Sequence, residues 1–121
     1  MTAPDAPTEL LYSPLAEDAD LADIVGMFVQ EMPERIARLL DRFAASDWEG
    51  LRRAAHQLKG AAGSYGFGPI SPAAARLEDN VLQSRPEEEI NRAVQELIEL
   101  CRRARAGTPP QPAPSEETVR R

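Results

Sequence analysis

Apolar residues in this chain recur at three- and four-residue steps, and no stretch alternates with period two for long enough to make a strand. The pattern predicts an all-α fold. Leu21, Val25, Phe28, Met32, Ile36, Leu39 and Phe43 form one stripe at helical spacing, which predicts a first long helix over 20–45. Pro33 lacks the amide that would reach Val29, so this helix is expected to bend there while remaining one kinked helix. Ser13 and Pro14 suit a short helical turn ahead of it. Ser46, Asp47, Trp48 and Glu49 read as a capping box that opens a second helix, which continues to Tyr65 and stops at Gly66. A third helix opens at Ser71, with Pro72 in first position and Ile70 stapled against Ala75, and runs to Gln83. Pro86 begins the fourth, whose stripe is Ile90, Val94, Leu97, Ile98 and Cys101. Glu87, Glu88 and Glu89 suit the positive end of its dipole, and Arg102, Arg103 and Arg105 the negative end. Four amphipathic helices with short connections predict an antiparallel up-and-down four-helix bundle, with a short N-terminal helical turn.

Composition sets the bounds of this picture. The chain has 121 residues, enough for one domain that folds without a disulfide or metal staple. Prolines among small and acidic residues mark 1–9 as a disordered N-terminal segment, and Pro109, Pro110, Pro112 and Pro114 mark 107–121 as a disordered tail. The bundle is therefore expected over 10–106. One cysteine, Cys101, and one histidine, His56, are too few for a structural zinc site, so no metal is expected. A formal net charge of -6 argues against a nucleic-acid partner, whose recognition draws on basic patches. No apolar run approaches the roughly 18 residues of a membrane span, and 1–14 is too polar for a signal peptide. The expected setting is cytoplasmic, without a membrane partner, and the four stripes can satisfy one another in a monomer.

The second helix carries the candidate chemistry. At about 100° per residue, Ala54, Ala55, Leu58, Ala62 and Tyr65 lie within about 60° of Leu51 and form the buried face. His56 lies at roughly 140°, with Lys59 near 80°, Arg52 near 100°, Gly63 near 120° and Gly60 near 180°. The histidine points away from the core. A lone histidine is commonly a residue with no task, but each interior helical glycine costs about 1 kcal/mol relative to alanine, and two on this face clear an approach to the ring. Lys59 and Arg52 favour an anion carried there. On the third helix Glu78 falls near 100° from Leu77, inside an apolar arc that extends towards Leu82. It is either an edge residue reaching water, or it accepts a hydrogen bond from one imidazole nitrogen of His56 and leaves the other as nucleophile.

The run Ala55-His56-Gln57-Leu58-Lys59-Gly60-Ala61-Ala62-Gly63-Ser64-Tyr65-Gly66 resembles the signature of histidine phosphotransfer (HPt) domains of two-component phosphorelays. The resemblance extends over 10–106 and implies that His56 carries a phosphoryl group, Lys59 contacts it, Gly60 clears space and Glu78 orients the ring. It implies a response-regulator receiver domain and a hybrid histidine kinase as partners, with Arg52, Gly60 and Gly63 on the docking face. The magnesium ion belongs to the receiver, and the chain itself needs no cofactor. With no nucleotide loop or acidic metal cage in its sequence, it reads as a phosphoryl carrier, not an autonomous enzyme. Two rivals stand beside this reading. One is a helical module that binds a receiver or kinase without being phosphorylated; the other is a hydrolase using His56 as general base, for which no nucleophile or triad is evident.

Overall fold

Each helix boundary traces to a local signal. In a computed structural model describing residues 9–110, Ser13 accepts a hydrogen bond from the Leu15 amide at 3.0 Å and caps a 3-10 turn over Pro14–Glu17. Asp18 then caps α1 (Ala19–Gln30) through the Asp20 amide at 2.8 Å. The expected single helix is in fact two, because the ladder is interrupted at Glu31 and α2 spans Met32–Ala44 with Pro33 in its first turn. Proline is tolerated in that turn, where an amide needs no helical partner, and this placement converts the expected kink into a boundary. The stripe still runs through it: Val25, Phe28, Met32 and Leu39 are all buried.

The next boundary also departs from expectation. Ser46 has φ 55°, and the Asp47 amide donates to Arg42 O at 2.9 Å, so Ser46 terminates α2 in a left-handed turn instead of opening the next helix. Asp47 is the true cap of α3 (Trp48–Ser64), accepting from the Gly50 amide at 2.9 Å. Glu49 does not reach back as a capping-box residue; it pairs with Arg52 and Arg53. Gly66, with φ 84°, ends α3 by the same kind of turn, the Phe67 amide donating to Ala62 O at 2.9 Å. α4 spans Ile70–Leu82 and starts one residue earlier than Ser71, because Ile70 is fully buried and helical instead of serving as a staple. α5 is Glu87–Arg102 with Pro86 as its cap. Arg103 caps its end, while Arg105 lies beyond the helix and donates to Arg102 O and Ala104 O.

A pair of two-residue strands, β1 (Leu11–Tyr12) and β2 (Ala104–Arg105), runs in parallel with Leu11 opposite Ala104. The fold is all-α as expected, and this pair is an addition the sequence did not disclose, two residues being too short for any period to show. The pair ties the start of the described chain to its end. α2 packs on α3, α3 most extensively on α4, α4 on α5, and α5 back on α2, while α1 packs mainly on the 3-10 turn. Leu51, Leu58, Leu77, Val94, Leu97 and Ile98 fill the space between these helices, each 2% exposed or less. Phe28 of α1 joins this core, its ring 5.2 Å from Tyr65 and 5.5 Å from Phe67, centroid to centroid, which braces the end of α3. Residues 1–8 and 111–121, most of the two segments expected to be disordered, lie outside the described residues. No helix among the described residues is long and apolar enough to cross a membrane.

Candidate functional site

The close α3–α4 packing brings together residues 22 apart in sequence. Leu51, Ala55, Leu58 and Ala62 bury one face of α3, which turns His56 outward with 59% of its side chain exposed. On the facing helix, Leu77 anchors the core and Glu78 is held at its margin, 8% exposed. Leu82 does not continue a buried arc beyond Glu78; it is 59% exposed. Beyond Glu78 the core contact of α4 continues only through the half-buried Val81.

A buried carboxylate needs partners, since an uncompensated charge there is strongly disfavoured. Glu78 has three, all from α3. His56 Nδ1 lies 2.8 Å from Oε2, Lys59 Nζ donates to Oε1 at 2.9 Å, and Arg52 Nη1 stands 3.8 Å from Oε2. The hydrogen bond from Lys59 outweighs the penalty of burial and, with the bond from His56, holds the Glu78 carboxyl below the ordinary carboxylate range. At neutral pH Glu78 is therefore an ion that can only accept, which requires the proton of the neutral imidazole to sit on Nδ1. Nε2 is left with its lone pair.

The helix is cleared around the ring. A Cβ built at Gly60 meets nothing within 4 Å, and one at Gly63 meets only Ser71 Oγ at 3.6 Å. Neither glycine is required by the protein's own packing. Ser71 Oγ donates to Lys59 O at 3.0 Å, a tie between α4 and α3 beside the site that sequence reading missed, because Ser71 looked like a helix cap. Arg52 is fixed from the other side by Glu49, which accepts from Nε at 3.1 Å and from Nη2, and raises the already high pKa of the guanidinium. That pair was legible from its i, i+3 spacing but was assigned to a cap.

The structure thus brings His56, Lys59, Arg52 and Glu78 into one cluster and places Gly60 and Gly63 along the same helix. Among the described residues no group of three or more His, Cys, Asp or Glu is gathered as a metal ion would need. Comparison with curated proteins and with solved structures found no match. A family model of the Hpt domain matches residues 23–107. That match covers most of the sequence and all six of these residues, and the chain belongs to the Hpt domain family.

Proposed function

We propose that this protein is a phosphoryl carrier that accepts a phosphoryl group on His56 Nε2 and exchanges it with the aspartate of a response-regulator receiver domain. The observation that carries this reading is an exposed imidazole whose Nδ1 is engaged at 2.8 Å by a buried carboxylate. One nitrogen is held and the other faces outward. In the forward step the Nε2 lone pair forms the bond to phosphorus while the bond to the donor's carboxylate oxygen breaks, and Nδ1 keeps its proton. The ring becomes a cation opposite Glu78, and the reverse step returns the electron pair to Nε2. Most of the stabilisation of the transferring group comes from positioning and positive charge, which the receiver's magnesium ion and Lys59 supply. Gly60 and Gly63 let the receiver's surface approach the ring.

The helices that pack as a closed ring are read as an antiparallel up-and-down bundle, with α1 as an addition braced on the 3-10 turn. The protein acts as a cytoplasmic monomer between a hybrid histidine kinase and a receiver, without a cofactor of its own. Incubation with purified phosphorylated receivers tests the proposal. The expected product is an acid-labile, base-stable adduct on the wild-type chain and none on His56→Gln of unchanged helicity. A labelled His56→Gln protein would overturn the assignment, and a receiver that binds tightly without transfer would favour the phosphorylation-independent module.

A further inference from the structure

Three cationic or donor groups meet on Glu78, and one of them is committed twice. If His56 carries the phosphoryl group as proposed, Lys59 serves it, yet Lys59 Nζ is already bonded to Glu78 Oε1 at 2.9 Å. Moving the ammonium to the phosphoryl oxygens leaves a carboxylate at the buried margin of α4 with only the imidazole as its direct partner. Arg52 is placed to answer this. Its Nε and Nη2 are spent on Glu49, but Nη1 makes no hydrogen bond among the described residues and points at Glu78 Oε2 from 3.8 Å. That separation is an ion pair beyond hydrogen-bond length. Among the described residues no cation other than Arg52, His56 and Lys59 pairs with Glu78, and Arg76 on the same helix is taken by Glu96 of α5 at 2.8 Å.

We infer that Arg52 is a positioning residue that takes over Glu78 when phosphorylation of His56 draws Lys59 away. This rests on the carrier reading above and adds to it an exchange of partners on one carboxylate. Lys59 Nζ leaves Oε1 for the phosphoryl oxygens, and Arg52 Nη1 closes onto Glu78 while Glu49 keeps the guanidinium anchored. A guanidinium suits this task, because it is permanently charged and its planar fork holds two carboxylates at once. The phosphorylated ring then keeps its Nδ1 proton opposite an ionised Glu78. A protonated ring is the better leaving group when phosphorus moves on to the receiver's aspartate.

The test uses the full chain and phosphoramidate as donor: its P–N bond breaks, ammonia departs and the Nε2–P bond forms. Nitrogen-15 NMR of the ring is recorded before and after, for wild type, Arg52→Ala and Arg52→Lys, with transfer to a receiver timed on the phosphorylated forms. Before phosphorylation all three should show the same Nδ1-protonated ring, since Lys59 still holds Glu78. Afterwards Arg52→Ala should lose the Nδ1–H···Glu78 hydrogen bond, read as an upfield shift of the Nδ1 proton, and transfer roughly tenfold more slowly, as loss of one charge-assisted hydrogen bond implies, while Arg52→Lys recovers part of both. Identical rings in phosphorylated wild type and Arg52→Ala would overturn the inference. So would an equal loss in both states, which would show that Arg52 acts before Lys59 moves. A wild-type protein that takes up no phosphoryl group would defeat the carrier reading itself, a result visible before any variant is compared.

Discussion

Gly60 separates what the fold needs from what a partner needs. A methyl group added there meets no atom within 4 Å, so packing gives no reason for a glycine one turn after His56 in mid-helix. Alanine should be accepted and should stabilise α3 by up to about 1 kcal/mol, since glycine is the poorer helix former. A long side chain at the same place would stand beside the exposed ring. Gly60→Gln is therefore expected to keep or raise the melting temperature while slowing phosphotransfer sharply. Thermal denaturation and timed transfer, measured on the same preparation, check both halves; unimpaired transfer by a correctly folded Gly60→Gln would remove the clearance role. Gly66 is the opposite case, because its φ of 84° and the nearness of Ser13 Oγ to any added Cβ make it a requirement of the fold.

The helices differ in how much of them the sequence discloses. Long amphipathic stripes were legible because burial repeats many times at a fixed period, and the outward angle of His56 followed from the apolar residues flanking it. Boundaries rest on single residues: the stop at Gly66 was legible, but the boundaries at Pro33 and Ser46 were misplaced. Ser46 and Asp47 are both good cap residues, and only the left-handed conformation of Ser46 assigns the cap to Asp47. Pro33 was read as a kink because the stripe continues past it, although a proline in a helix's first turn is equally compatible with a new start. β1 and β2 left no periodic trace, since each is only two residues long. In the site, the arc containing Glu78 was legible, but the bond from Lys59 was not. It depends on side-chain reach between two packed helices, across 19 residues of sequence.

Cys101 gives α5 its own prediction. Burial pushes its thiol up from the ordinary 9.0 to about 12, with nearby Arg35 opposing only weakly. The folded state binds this proton more tightly than the unfolded one. Its contribution to stability is therefore complete below about pH 9 and is lost as pH rises towards about 12. At pH 8 a thiol reagent should label the native protein negligibly and the unfolded protein fully. Rapid labelling without unfolding would show that α5 does not bury its stripe as described.

At the scale of the whole molecule, the formal charge of -6 is distributed so that the one histidine sits among cations. Arg52, Arg53 and Lys59 share α3 with His56, and the buried Glu78 faces it from α4. The remainder of the molecule serves this arrangement. The core fixes the rotation of α3, contact of Phe28 with Tyr65 and Phe67 braces its end, and the Arg76–Glu96 pair ties α4 to α5. An acidic chain is poorly suited to gripping a polyanion, and the cations beside His56 are held by Glu49 and Glu78. On the proposed carrier reading, Glu78 reserves Nδ1 and leaves Nε2 to react. Phosphorus-31 and nitrogen-15 correlation NMR of the phosphorylated wild-type protein tests it most directly. The expected product is a single phosphohistidine with phosphorus coupled to Nε2 of His56 and a proton retained on Nδ1; phosphorus coupled to Nδ1, or found on any other residue, would overturn that assignment.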